Sequence, residues 1–452
     1  MKIVFLGGCE TVTGSKFLVE TKTTRVLVDC GLYQGYKWLR RRNWQPLLLV
    51  DIHQLDAILL THAHLDHSGY IPVLYKKGYR GPVFTHTATE ALCRILLADS
   101  GNLQEEDARF YGKHHISKHD TPEPLYDRAT AEQSMKLFKT VEYDERFSVG
   151  DITIYFQNAG HILGAASIII EAEGKKVGFS GDVGRSDDIL MMPPDPLPEL
   201  DLLLLESTYG NRHHKKTDPF QQLADIVNET AQKGGVLLIP CFAVGRSQTL
   251  MHMLSVLMAD DRIPHLPTYL DSPMAINVSD IYTRYSSEHR LTHSQCYAMC
   301  NTAIYTRSVE ESKALAEMRF PHIIIAGSGM VTGGRILHHI KHLLSDHRTT
   351  LLLTGYQAGG TRGAKLLEGA EMVKVHGKWI LNRARVEVMH GVSGHGDYLE
   401  IEQWLKHSKL RKGMPIQLIH GDPDALEGMR DHLRRNTEFD VEIAGYQNIL
   451  TI

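Results

Sequence analysis

The stretch Thr61-His62-Ala63-His64-Leu65-Asp66-His67 places four metal-binding side chains directly after the apolar run Ala57-Ile58-Leu59-Leu60. That crowding suits a dinuclear metal site. On extended backbone successive side chains alternate faces, so His62 and His64 project the same way and can bind one ion. Where the chain then turns into a loop or helix start, Asp66 and His67 are redirected toward a second ion a few ångströms away. Two later segments offer more ligands. Asn158-Ala159-Gly160-His161-Ile162-Leu163-Gly164 presents a histidine on a glycine-flanked turn, and Phe179-Ser180-Gly181-Asp182-Val183-Gly184 presents an aspartate at a strand end between glycines. Both sit where backbone must approach a ligand closely. Three neutral imidazoles and a carboxylate would complete one zinc site; a bridging Asp182 with Asp66, His67 and another histidine would complete the second.

Histidine is abundant here, 26 in 452 residues, so others need separating from these. His114, His115 and His119, the pair His213-His214, and the set His338, His339 and His342 lack the accompanying carboxylate and glycine turn, and read as surface or groove positions.

The elements that must position the cluster are legible as patterns. Arg25 to Asp29, Ala57 to Thr61, Val83 to Thr85, Ile152 to Gln157, Ser167 to Glu171, Val177 to Ser180 and Leu202 to Glu206 read as strands, with few long helices among them. After Glu206 the style changes. Thr217-Asp218-Pro219 starts a helix that Gly234-Gly235 stops, and strands from Val236, Thr268, Ile323 and Leu351 alternate with helices near Ser247 and after Gly334. That is the pattern of a parallel α/β layer. Near Ala384 the first style returns, with Val386 and Val388, a helix through Trp404 and a buried strand Ile416 to Ile419 ending at His420. The fold class is therefore α/β: an outer αββα sandwich into which an α/β domain of mainly parallel sheet is inserted.

Composition is that of an ordinary soluble globular protein, 42% apolar and 23% charged, with a length fitting two or three domains. No segment approaches the ~20 apolar residues of a membrane span, and the start through Gly7-Gly8 reads as a first strand rather than a signal peptide. Six scattered cysteines without a Cys-x-x-Cys pair lead us to expect a reducing cytoplasm and no structural zinc knuckle. The formal net charge of -4 argues against a protein that coats nucleic acid non-specifically, while leaving room for a local basic channel.

The set His62, His64, Asp66, His67, His161 and Asp182 resembles the metallo-β-lactamase fold superfamily. Leu205-Glu206-Ser207-Thr208-Tyr209-Gly210, Ser393-Gly394-His395-Gly396-Asp397 and Leu418-Ile419-His420-Gly421-Asp422 resemble the three extra motifs of the β-CASP nucleases, the RNA-processing branch that includes the cleavage and polyadenylation endonuclease and ribonuclease J. One variation is Gly396, where alanine is common. The resemblance covers essentially the whole chain and points to the short bacterial form without KH domains. It implies a metallo-β-lactamase domain over 1–208, a β-CASP insertion over 209–383 and a return segment over 384–452. It also implies that His62, His64 and His161 bind one Zn2+, that Asp66, His67 and His420 bind the other, and that Asp182 bridges both. Two such ions about 3.5–4 Å apart would generate hydroxide for in-line attack on a phosphodiester. The mixed ligands would also suit manganese or iron. Asp29, closing the strand Val26-Leu27-Val28, would orient ligands or hydroxide. His395 paired with Glu206 would supply the proton to the departing oxygen.

In the insertion, Ala326-Gly327-Ser328-Gly329-Met330-Val331-Thr332-Gly333-Gly334-Arg335 follows a strand and opens a helix, so its amides can hold a phosphate. The loops from Phe242 to Ser247 and from Gly355 to Gly363 are similar. Arg246, Ser328, Thr332 and Arg362 are the candidate phosphate contacts. Lys37-Trp38-Leu39-Arg40-Arg41-Arg42-Asn43-Trp44 has the composition of a strand-binding surface, yet reads first as a solvated helix face with both tryptophans packed inward. Leu250, Met253, Leu254 and Leu257 fall at helical spacing and read as core.

The expected activity is a zinc-dependent ribonuclease acting on single-stranded RNA, endonucleolytic with 5′ exonucleolytic hydrolysis as a further mode. No membrane partner is expected, and a homodimer is left open. A thioester or lactam hydrolase, a DNA nuclease, a di-iron oxidoreductase and a catalytically dead RNA scaffold are the rivals. The first is disfavoured by the domain-sized stretch between Asp182 and His420, the di-iron reading by histidine rather than glutamate at His64, and the scaffold by the full ligand set.

Overall fold

A period-two alternation of apolar side chains draws two sheets face to face in this computed structural model, which describes residues 1–47, 49–113, 122–214, 217–355 and 357–452. The first sheet runs, edge to edge, Ile449–Thr451, Lys2–Gly7, Lys16–Glu20, Arg25–Val28, Ala57–Leu59, Val83–His86 and Phe138–Val141. The second runs Asp440–Ile443, Pro415–Ile419, Leu202–Glu206, Lys175–Phe179, Ala166–Ala172, Ile152–Asn158 and Phe147–Val149. Each sheet is part antiparallel and part parallel. Pairing is parallel from Arg25–Val28 outward to Phe138–Val141 in the first, and from Lys175–Phe179 outward to Asp440–Ile443 in the second.

Alternate residues fill the space between the sheets: Ile3, Phe5, Phe17, Val19, Val26, Val28 and Leu59 from one, Ile154, Phe156, Ile168, Ile170, Val177, Phe179 and Leu204 from the other. The intervening Ile169, Leu203, Leu205, Ile416 and Leu418 turn outward onto Ile401, Trp404, Leu426, Met429 and Leu433. Those belong to the helices Tyr398–His407 and Pro423–Asn436. On the outer side of the first sheet, Thr87–Lys113 packs near Val83–His86 and Phe138–Val141. The αββα sandwich expected from the sequence is the one the chain adopts.

Thr87–Lys113, at 27 residues, is the one long helix among the described residues of this half, in keeping with the expectation of few. Its middle, Asp99-Ser100-Gly101-Asn102, reads as a turn by propensity. Packing overrides that: a Cβ on Gly101 would lie 2.7 Å from the Asp127 carbonyl carbon, so glycine allows the close approach of the following segment.

The second compact unit spans 214–394, the first comprising 1–213 and 395–452. Its main sheet runs Ile304–Tyr305, Thr268–Asp271, His322–Ala326, Val236–Pro240, Thr350–Leu353 and Arg385–Val388, all paired in parallel, and Met372–Val375 and Lys378–Leu381 form a separate antiparallel pair. Continuous buried runs such as Ile323-Ile324-Ile325 mark strands covered on both faces. Here the expected return at residue 384 falls early. Arg385–Val388 pairs with Thr350–Leu353, so this strand belongs to the insertion despite its half-buried, alternating sequence.

Leu250, Met251, Met253, Leu254 and Leu257 are core, as their spacing suggests. His339 is a correction to its surface assignment: it is fully buried, with Nε2 2.6 Å from Asp271 Oδ2. His213 bonds through Nδ1 to Asp397 Oδ2 at 2.8 Å. His114, His115 and His119 lie outside the described residues. The segment after Tyr36 also differs from expectation. In the helix Lys37–Arg42 only Leu39 is buried, and Trp38 and Trp44 are 55% and 61% exposed. Six residues offer a single inward stripe, and Leu39 takes it.

If the inter-sheet core holds the sandwich together, Ile168→Ala should cost about 2–5 kcal/mol of stability, through lost transfer energy and a residual cavity. Urea unfolding with an unchanged slope would register it; a loss below ~1 kcal/mol would refute the assignment.

Candidate metal centre

The site is assembled at the carboxyl ends of strands, where parallel sheets leave their loops and helix starts. Arg25–Val28 delivers Asp29, Ala57–Leu59 leads to His62 and His64, and the short helix Leu65–Ser68 carries Asp66 and His67. From the second sheet, Ile152–Asn158 leads to His161, Lys175–Phe179 to Asp182, and Pro415–Ile419 to His420, while Glu206 ends Leu202–Glu206. The turn after Asp29 requires glycine. A Cβ on Gly31 would stand 1.5 Å from the Asp66 carbonyl oxygen, so only glycine lets the two loops meet.

Ligand atoms gather in two groups. His62 Nε2 lies 3.1 Å from His64 Nδ1, which lies 3.2 Å from His161 Nε2. His67 Nε2 lies 3.2 Å from His420 Nε2, which is 3.6 Å from Asp66 Oδ2. Asp182 stands between them. Its Oδ2 is 3.4 Å from His62 Nε2 and 3.6 Å from His161 Nε2, whereas Oδ1 is 3.3 Å from His67 Nε2 and 3.4 Å from His420 Nδ1. His62, His64, His161 and Asp182 form one group able to hold a metal ion, and Asp66, His67 and His420 form another.

The donor set fits a cation better than it fits a hydrogen-bond network. Asp182 Oδ1 is buried yet has no well-formed hydrogen bond. Nitrogen atoms in each group face one another across 3.1–3.2 Å. Donors roughly 2.0–2.1 Å from one tetrahedral ion would stand about 3.3–3.4 Å apart.

Protonation follows from burial and from neighbouring carboxylates. Burial holds His62 well below its ordinary pKa and lowers His64 as well, leaving neutral imidazoles with lone pairs to donate. Burial also works against a charged His67, but Asp182 and Asp29 outweigh it and raise its pKa strongly. For Asp182, burial opposes ionisation, and the imidazoles of His420, His67 and His62 more than offset that penalty. Metal binding at this centre is therefore coupled to loss of a proton.

Supporting contacts fix the rings. His67 Nδ1–H donates to Asp29 Oδ2 at 2.7 Å, directing Nε2 into the site. Asp29 also accepts from the Thr61 amide at 2.8 Å and hydroxyl at 2.9 Å. It occupies left-handed backbone, φ 58°, as does His420 at φ 51°. His420 is anchored by its amide on the Gly8 carbonyl at 2.6 Å and by Nδ1 near the Thr208 hydroxyl at 3.2 Å. Glu206 accepts from the amides of Val183 at 2.8 Å and Thr208 at 3.0 Å, and from His395 Nδ1–H at 3.0 Å. Burial opposes a charged His395, yet the Glu206 carboxylate prevails and raises its pKa. Its ring lies 4.4 Å from that of His161, at the flank of the ligand groups.

Thr61, Thr208 and Lys16 were not foreseen from the sequence. The two threonines adjoin or share a motif with site residues, a signal that was available. Lys16 gave none, since lysine in a strand ordinarily points outward. It is buried, with Nζ donating to the carbonyls of Gly14 and Gly31 between the rings of Tyr33 and Tyr70, and burial lowers its pKa to about 8.

The predicted phosphate contacts lie in the second unit. The Ser328 hydroxyl accepts from the amides of Thr332 and Gly333 and lies 3.1 Å from the Thr332 hydroxyl, closing its own loop. Arg362 donates to the carbonyls of Lys374, Val331 and Thr332, so it serves as a strut between loops. Arg246 opens the helix Arg246–Ala259 after Gly245.

Comparison with known proteins sets this geometry in context. Residues 24–238 match the beta-lactamase superfamily domain, 247–366 the Beta-Casp domain, and 380–444 the Zn-dependent metallo-hydrolase RNA specificity domain. The chain is 38% identical to Ribonuclease TTHA0252 of Thermus thermophilus, covering 94% of each. It is 32% identical to an RNase J-like protein of Methanocaldococcus jannaschii, covering 92% of each. With Cleavage and polyadenylation specificity factor 73 of Drosophila melanogaster the identity is 28%, over 97% of this chain and 62% of that one. A solved structure of a protein of unknown function from Enterococcus faecalis shares the fold, with TM-score 0.55 and 13% identity over 100% of this chain and 99% of that one.

Asp29→Asn should weaken metal binding roughly 10–100-fold by loosening His67, with the fold intact. Chelator competition measures it; unchanged affinity would show that the carboxylate is only a strand-end feature.

Proposed function

Because this chain belongs to the β-CASP family of metallo-β-lactamase-fold hydrolases, we propose that it is a metal-dependent ribonuclease hydrolysing phosphodiester bonds of single-stranded RNA. The observation that carries the mechanism is the carboxylate of Asp182, presenting one oxygen to each imidazole group. His62, His64 and His161 would hold one Zn2+, Asp66, His67 and His420 the other, with Asp182 shared. When bound there, the ions supply Lewis-acid charge that acidifies water and offsets the charge of phosphate oxygens.

The chain's own groups do the rest. Asp29 holds the proton on His67 Nδ1, keeping Nε2 turned into the site. Glu206, itself pinned by two amides, holds His395 by Nδ1 and favours its protonated form. His395 then donates to the departing 3′ oxygen from Nε2. In the second unit, the amides of the 327–334 loop with Ser328, Thr332 and Arg246 would bind backbone phosphates, while Arg362 braces that loop. Hydrolysis is endonucleolytic, with a 5′ exonucleolytic mode as the further expectation.

The test is cleavage of internally labelled RNA bearing 5′-triphosphate or 5′-monophosphate ends. Asp66→Ala should abolish internal cuts while RNA binding persists, and His395→Ala should slow cutting about 10²–10⁴-fold with metal content retained. Absence of cleavage by zinc-loaded wild type would move the substrate to DNA or a small ester. Mononucleotide products favoured by the monophosphate end would establish the exonucleolytic mode.

The pH dependence has a definite sign. His395 must carry a proton to act as an acid, so activity falls as pH rises through its raised pKa. Glu206→Gln removes the charge that sustains that proton, and burial then pulls the pKa down. The alkaline limb of kcat should therefore move to lower pH; an unmoved limb would remove His395 from the proton-donor role.

A further inference from the structure

The segment from Gly31 to Val50 contains no acidic residue and four cations, Lys37, Arg40, Arg41 and Arg42, in a chain whose net charge is -4. Tyr36, Trp38 and Trp44 are exposed at 49%, 55% and 61%, with Lys37, Arg40 and Arg41 exposed around them. Large aromatics normally bury most of their surface, so three left open beside cations mark an interaction face. Resting on the ribonuclease reading above, we infer that Tyr36, Trp38 and Trp44, with Lys37, Arg40 and Arg41, form a platform on which single-stranded RNA flanking the scissile bond docks.

The platform is built in advance of its ligand. The Arg42 guanidinium lies 4.2 Å from the Tyr446 ring centroid, 5.1 Å from that of Trp38 and 5.5 Å from that of Tyr33. It holds Trp38 from one side and leaves the indole's exposed area for a base. Asn43 is buried and bonds both the amide and the carbonyl of Tyr33, at 2.9 and 2.8 Å. The segment is also tethered to the metal loop: the Leu32 amide donates to the Leu65 carbonyl at 2.8 Å, and Gly31 packs on the Asp66 carbonyl. Five residues from Gly31 to Tyr36 span at most about 18 Å, so bases on the platform belong to the strand being cut.

Charge selects the partner. Stacked aromatics read any base through its π face, and the cations neutralise phosphates. A second copy of this chain is disfavoured, since a two-fold contact would set this basic face against itself.

The experiment measures cleavage of a long uridine homopolymer by wild type, Trp38→Ala/Trp44→Ala and Arg40→Gln/Arg41→Gln proteins, with thermal melting and metal content as folding controls. The aromatic pair should raise KM roughly ten-fold or more with kcat little altered. The arginine pair should flatten the dependence of log KM on log salt by about 0.7 for each phosphate no longer neutralised. In the wild type, the same polymer should quench tryptophan fluorescence, a readout that survives if a variant folds poorly. If wild type cuts RNA but KM, salt slope and fluorescence are all unmoved, the platform is wrong and the ribonuclease reading stands. A change in sedimentation alone would reassign the face to an interface between copies. If wild type cuts no RNA, the underlying reading itself has failed.

Discussion

Everything in the candidate site depends on one buried carboxylate placed between two sets of imidazoles. Asp182 arrives at the end of Lys175–Phe179 in the second sheet, and its oxygens divide their attention between His62 and His161 on one side and His67 and His420 on the other. His62 and His67 come from the first sheet. Each group draws ligands from both sheets, so the inter-sheet core sets how closely those ligands meet, and side chains such as Phe179, Leu59 and Ile168 do chemical work at one remove. A carboxylate buried among imidazoles is tolerable only because they offset its desolvation.

A second carboxylate device appears twice, with different consequences. Asp29 grips His67 and Glu206 grips His395, each through Nδ1. Both carboxylates are themselves fixed by backbone amides, Asp29 by Thr61 and Glu206 by Val183 and Thr208. What differs is the company of the opposite ring edge. His67 Nε2 faces Asp182, His420 and Asp66, the setting of a ligand. The His395 ring flanks this group beside His161, the position from which the proposed proton donation would be made.

Under the proposed reading, polymer recognition would have a different physical basis in each unit. The parallel sheet of 214–394 ends in glycine-rich loops whose amides suit phosphate, and Arg362 and Ser328 spend their hydrogen bonds on keeping those loops in shape. In the other unit, the basic and aromatic turn after Tyr36 offers exposed aromatic surface and exposed cations. The first is a set of fixed dipoles, the second a set of exposed side chains, and both are indifferent to base identity.

The sequence by itself determined the local chemistry. The spacing of His62, His64, Asp66 and His67 after an apolar strand, the glycines beside His161 and Asp182, and the alternation of strand and helix after Glu206 are short-range patterns, because strand periodicity and turn geometry act over a few residues. Tertiary structure decided what depends on distant partners. Which ring Asp29 orients was decided by the fold, which brings His67 Nδ1 within 2.7 Å of its carboxylate. Arg385–Val388 joined the insertion because Thr350–Leu353 was there to pair with, though its own alternation resembled the outer domain. Trp38 stayed outside because Leu39 took the inward side of its six-residue helix, and Thr87–Lys113 carries glycine at 101 because the Asp127 backbone packs too closely there for a side chain. Lys16 is buried because carbonyls and two tyrosine rings replace its water. Propensity and period are properties of a segment, whereas burial and pairing belong to whatever the folded chain brings against it.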